Sequence, residues 1–159
     1  LRSDVERKRL HGLSADARSG AAPGAGIYSE QATRAAYAEL RRLAALVVDA
    51  CGYPVVADAT FLARWQRDSL RELARELRIP FLILDCRAGV PALVERIRGR
   101  QAGARDASEA TLEVLERQLE GAQPLRADEA ADVVEVDTER DTPAEVTWRV
   151  RRRLGIEAA

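Results

Sequence analysis

The chain is 159 residues long, 47% hydrophobic and 32% charged, with a net charge of -1. That length suits one domain with a real core, and the balanced charge excludes a bulk positive field for nucleic acid or an anionic membrane. Aromatics at 4% argue against a base-stacking platform.

No run of about 18 apolar residues is present and no signal peptide leads the chain, so the sequence reads as cytoplasmic. Almost all basic residues are arginine; Lys8 is the single lysine. Cys51 and Cys86 have no metal-ligand spacing and read as buried thiols.

In chain order, Leu1-Arg2-Ser3 could be the last residues of a strand. A helix then runs through LRSDVERKRL, with Ser3 as cap and Glu6 at capping-box spacing. SGAAPGAGIYS (Ser19 to Ser29) is loop by composition. Ser29 caps a long helix whose apolar stripe is Ala36, Leu40, Leu43, Ala44 and Val47, and Gly52 ends it.

YPVVADAT (Tyr53 to Thr60) reads as a strand buried on both faces. A helix follows around Arg64 to Leu77, then a second buried strand, PFLILDC (Pro80 to Cys86). Pro91 opens a helix from Ala92 to about Arg100. After the QAGARDAS break another helix runs to about Gly121, with Asp106 and Glu109 in the Asp form of a capping box. ADVVEVDT (Ala131 to Thr138) is a third strand, and Thr142-Pro143-Ala144-Glu145 starts the last helix. Strands alternating with helices predict a three-layer α/β domain with a mainly parallel sheet and right-handed crossovers.

In such sheets ligands bind beyond the carboxyl ends of the strands. Asp58 with Thr60, Asp85 with Cys86, and Asp137 with Thr138 all fall at predicted strand tips, and Asp4 follows the candidate strand end at Ser3. Carboxylates there suit a magnesium–nucleotide site, because hard cations take oxygen ligands; the plain alternative is that each acid caps the next helix. Arg96, Arg98, Arg100 and Arg105 flank the break between two helices. They form either a phosphate-clamping flap or a solvated face paired with Glu95, Glu109 and Glu113. His11 reads as a surface residue, Trp65 and Trp148 as packing anchors, and Arg149 to Arg153 as a solvated helix end.

The run RSDVERKRL, GAGIYS, VVADAT, ILDC, ERIRGR, RDASEA and VDT resembles the P-loop kinase-like ATPases related to gluconate kinase, polynucleotide kinase and the zeta-toxin kinases. That family is often fused behind an aminoglycoside-phosphotransferase-like domain. The resemblance covers nearly the whole chain and implies ATP and Mg2+ as cofactors and a small-molecule substrate bearing a hydroxyl. It implies Asp4 as the base for that hydroxyl. Arg2, Arg7 and Lys8 would lie on the substrate side, and Asp58 and Thr60 at a magnesium or substrate position. Arg96, Arg100 and Arg105 would form a lid within about 92–121, and Asp137 and Thr138 would lie near the adenine.

The chain departs from that family at the phosphate loop. GxxxxGK[ST] occurs nowhere, and GAAPGAG has neither a lysine nor a preceding strand. The sequence therefore reads as one partial P-loop kinase-like domain, residues 1–159, without its first strand, P-loop and first helix, and inactive alone. In this fold that strand lies between the VVADAT and ILDC strands, so either it is supplied from upstream or those two strands close on each other. The competing expectation is a non-catalytic α/β module that binds a ligand or partner.

Overall fold

The computed structural model describes residues 1–103 and 106–156. Eight regular elements are present among them. They are α1 (Ser3–Leu10), α2 (Glu30–Cys51), α3 (Arg64–Leu77), β1 (Ile83–Arg87), α4 (Val90–Gly103), α5 (Leu112–Gly121), β2 (Val133–Asp137) and α6 (Pro143–Arg153). Short 3-10 turns lie at Gly26–Tyr28 and Ala130–Asp132.

The long α2 organises the core because its stripe has helical spacing. Ala32, Ala36, Tyr37, Leu40 and Ala44 are buried on it, and α1 and α3 pack against it. Leu40 is fully enclosed, a burial that stabilises by roughly 1.5–3 kcal/mol. Ser29 accepts the Ala32 amide at the start of α2, and Gly52 closes it in the left-handed region at φ 66°. The predicted cap of α6 also forms: Thr142 and Glu145 bond each other's amides, with Pro143 at the first turn.

The sheet is narrower than the pattern suggested. β1 and β2 pair in parallel, Ile83 opposite Val133 through Arg87 opposite Asp137. The Tyr53–Thr60 segment forms no regular strand; its single bridge joins Asp58 to Arg2, in parallel. Three bonds build that join: the Leu1 amino group to Val56 O at 2.8 Å, Asp58 N to Leu1 O at 2.7 Å and Ser3 N to Asp58 O at 2.9 Å. Leu1-Arg2 is thus strand-like, as its sequence suggested, and Ser3 already opens α1. Burial on both faces does not hold, since Tyr53, Val56 and Leu84 are 69%, 73% and 42% exposed. Consecutive apolar residues signal two covered faces only when both neighbours are in place.

Two capping expectations change as well. Ser3 is the first residue of α1, not its cap, and Glu6 turns to Arg9 instead. Asp106 accepts the Ser108 amide within a turn, while α5 starts later and is capped by Thr111. Asp and Ser hydrogen-bond their own backbone as readily in a turn as at a helix start, so spacing alone does not separate the two.

Candidate functional site

The pairing of residues 1–3 with 56–58 brings two predicted site acids to one edge. Arg2 holds that edge together: its Nε donates to Asp58 Oδ2 and its NH2 to Asp106 Oδ1, each at 3.1 Å. Two residues on, Asp4 enters the first turn of α1, half-buried. Burial pushes its carboxyl above the usual aspartate range, against the pull of Arg7, Arg2 and Lys8 and a bond from Ser108. Asp4, Arg2, Asp58 and the 106–109 turn are therefore one cluster.

Arg7 and Lys8 are also present, in different roles. Lys8 is wholly buried, and its ammonium donates to Ala107 O at 2.7 Å and Ala15 O at 3.2 Å, with Glu109 Oε1 at 3.3 Å. Its three protons answer protein groups, so it locks the 106–109 turn to α1. Glu109 also takes the Ser19 amide and hydroxyl, tying in the glycine-rich loop. Arg7 NH1 donates to Ile27 O and Thr33 Oγ1, and its guanidinium lies 5.2 Å from the centre of the Tyr28 ring.

Thr60 lies at the next turn, where Tyr37 takes part. The Tyr37 hydroxyl bonds Thr60 and accepts the Phe61 amide at 3.2 Å. Phe61 sits at φ 46°, a strained position for a bulky residue. Tyr37 thus holds the backbone that carries Asp58 and Thr60.

Beyond Asp58 opens a cleft of about 780 Å3, walled by Asp58, Cys86 and Thr138 at the strand tips and by Arg96, Ile97 and Arg100 of α4. Arg96 reaches across to Thr138, bonding its Oγ1 at 2.7 Å and its carbonyl at 2.9 Å. Neither Arg96 nor Arg100 forms an ion pair among the described residues, so α4 turns two arginines towards the cleft. Arg105 lies outside the described residues. Asp137 is spent on the turn after β2, where its Oδ1 accepts the Glu139 amide. Asp85 pairs with Arg87.

The remaining single residues divide. Trp65 packs edge-on to Tyr37, but Trp148 is 59% exposed with Arg152 over its ring. The Arg149–Arg153 run is anchored at both ends, through Arg149 to Asp141 and Arg153 to Ala131 O. Both cysteines are exposed rather than buried. Cys86 is no poised nucleophile, since partial desolvation of its sulfur and the nearby Asp85 and Asp58 push its thiol up although the residue is exposed. His11 is exposed and its Nδ1 bonds Arg7 O. Ser108, Tyr28 and Tyr37 were missed as site residues. Ser108 and Tyr28 lie in the RDASEA and GAGIYS stretches that carried the resemblance, which was the available signal.

Helices around a parallel sheet, acids at strand tips and arginines on a helix over the cleft define an α/β fold of the P-loop NTPase type. The family described as AAA domain matches residues 1–125, and the chain belongs to that family. Among solved structures it is similar to a protein of Chloroflexus aurantiacus J-10-fl provisionally described as a kinase. The identity is 24% and the TM-score 0.66, over 97% of this chain and 83% of that one. At that identity the likeness is one of fold. No curated protein matches. Among the described residues no helix is long and apolar enough to cross a membrane.

Proposed function

We propose that these residues form the acceptor and lid side of an ATP-dependent small-molecule kinase whose Walker A loop lies outside the 159 residues. The observation that carries the reading is Asp4, a half-buried carboxyl raised by burial, two residues beyond the Arg2–Asp58 bridge at the rim of the cleft. A carboxylate raised towards neutrality is a better acceptor for a hydroxyl proton than an ordinary one. Asp4 would take that proton, and Arg2 would hold the strand tip and the 106–109 turn in register around it.

The cleft residues fit a magnesium nucleotide. Among the described residues no three His, Cys, Asp or Glu side chains form a cage, and Mg2+ usually binds through one or two carboxylates plus phosphate oxygens. Asp58 would be that carboxylate, Thr138 would lie near the nucleotide with Asp137 behind it, and Arg96 and Arg100 would be the phosphate contacts, joined by Arg105. When bound, Mg-ATP supplies the phosphoryl group, and the rest of catalysis is positioning and charge stabilisation. A Walker A strand would sit between the 54–58 segment and β1, where Val56 and Leu84 leave apolar surface exposed. A cytoplasmic setting and a neighbouring phosphotransferase-like domain belong to the same reading.

Lys8, the single lysine, is buried on three protein groups, which favours one other reading: a module that binds a ligand or partner without turnover. Two measurements separate them. In a protein extended to include a Walker A segment, Asp4→Ala should abolish phosphoryl transfer and leave ATP affinity unchanged; lost ATP binding would sink the role given to Asp4. ATP titrated into the 159-residue chain and the extended one should bind only the second, and binding to neither would favour the non-catalytic module.

A further inference from the structure

The last helix presents two different faces. Val146, Arg149, Val150 and Leu154 are half-buried where α6 packs on β2, and Arg149 donates to Glu135 O of that strand. Pro143, Ala144, Thr147, Trp148, Arg151 and Arg152 recur at helical spacing on the other face. There they line an open groove of about 740 Å3 that ends at Ile156. Trp148 and Ile156 are 59% and 50% exposed, and no residue of α6 is buried. Trp148, expected as a packing anchor, instead meets water and the Arg152 guanidinium, 5.2 Å from its ring centre. An indole left this open, beside other apolar surface, is characteristic of a face that another molecule covers.

Charge along this face is ordered. Glu145 lies in the first turn of α6 and Arg152 in the last. With Trp148 between them they run i, i+3 and i+7, one line along the helix. Glu145 Oε2 is taken by the Thr142 amide and hydroxyl, each at 2.8 Å, which leaves Oε1 able to accept from a cation. The nearby Asp141 is already bound by Arg149, and Arg152 lies on the indole ring rather than on an acid among the described residues.

We propose that this face docks a second copy of the chain, with the two α6 helices antiparallel and Trp148 at the two-fold axis. Trp148 stands three residues from Glu145 and four from Arg152, about 4.5 and 6 Å along the axis. Reversing one helix about Trp148 therefore sets Arg152 of each copy beside Glu145 of the other. A parallel pair would set like charges together. The antiparallel pair also opposes the two helix dipoles. The surface is thus self-complementary, as a two-fold interface must be. Tryptophan and arginine are the side chains that most often carry such interfaces, and closing the groove takes two indole rings out of water. One helix pair is a small interface, so the dissociation constant should be micromolar, about 1–100 μM. The dimer requires no nucleotide site and stands apart from the kinase reading.

Sedimentation velocity on the 159-residue chain, from about 1 to 300 μM, tests the dimer. The chain should pass from monomer to dimer across that range. Leu84→Glu, which suppresses association through the open edge of β1, should leave this dimer in place. Trp148→Glu should stay monomeric throughout, with circular dichroism unchanged because the ring already meets water. Arg152→Glu and Glu145→Arg should each weaken the dimer about 10-fold or more. An equimolar mixture of those two variants should recover it, since their heterodimer restores both contacts, one native and one reversed. An unchanged dimer in Trp148→Glu, a dimer lost in Leu84→Glu, or no recovery on mixing would each overturn the pairing. A monomer at every concentration would overturn it too, and would leave the groove to a foreign acidic segment.

Discussion

Around α1 the charges are answered by protein groups, with Lys8 buried on Glu109 and two carbonyls and the more exposed Arg2 between Asp58 and Asp106. Along the cleft the reverse holds. Arg96 and Arg100 are exposed, and Val56 and Leu84 show apolar surface. The first region fixes a geometry before any ligand arrives, which is what a site for proton transfer needs. The second leaves its cations without an ion pair among the described residues, at little cost because water still reaches them.

If that contrast is right, the largest effect should follow from Lys8→Ala. It strands Glu109 and two carbonyls, and breaking a buried pair this way costs about 3–5 kcal/mol. Urea denaturation at neutral pH measures it; a loss below about 1 kcal/mol would mean the 106–109 turn is held by other bonds.

The next test sets Asp4 against Glu129, whose shifts have opposite signs. Asp4 is raised by burial, so the folded chain disfavours its ionised form. That penalty is absent below the ordinary aspartate range and develops as pH rises through the folded value. Asp4→Asn should therefore stabilise the fold at pH 7, with the gain fading below about pH 4. Glu129 is lowered by its bond from Arg67. Its contribution is present above the ordinary glutamate range and is lost as pH falls through the folded value, so Glu129→Gln should destabilise at pH 7 and less so in acid. Urea midpoints against pH for the three proteins check both signs, and parallel curves would break the comparison.

On the cleft side the effects should be smaller. Arg96→Ala removes two exposed bonds to Thr138 and should cost less than about 1 kcal/mol by thermal unfolding, while phosphoryl transfer in the extended protein falls steeply. Leu84→Glu should shift stability by no more than about 0.5 kcal/mol, because the side chain already meets water. Light scattering should show less self-association in that variant, since the unpaired edge of β1 carries a charge; a large loss of stability would mean that Leu84 is core.

How legible the molecule was depended on the range of the signal. The stripe on α2, its Ser29 and Gly52 ends and the Thr142–Glu145 box came directly from spacing, because each is decided within four residues along the chain. Asp4 was picked out by its place in RSD at a strand end, and the structure sets it beside Asp58. The Tyr53–Thr60 segment was read as a buried strand because Val, Val and Ala on consecutive positions carry no record of whether a neighbour is present. Lys8 and Arg7, adjacent in sequence and alike in charge, could not be told apart by pattern. One meets Glu109, about a hundred positions away, and the other meets a tyrosine ring.

The sequence by itself determined the α/β class, the ends of α2 and the start of α6 set by local caps, and which residue types would gather at the strand tips. Those follow from backbone propensity and hydrophobic period, which act over a few residues. Only the tertiary structure decided which charges are answered and which are not. Desolvation and Coulomb energy depend on distances in space between groups far apart in the chain, and no spacing rule encodes them. That is why Lys8 became a structural lock on Glu109 and Asp4 a raised carboxyl.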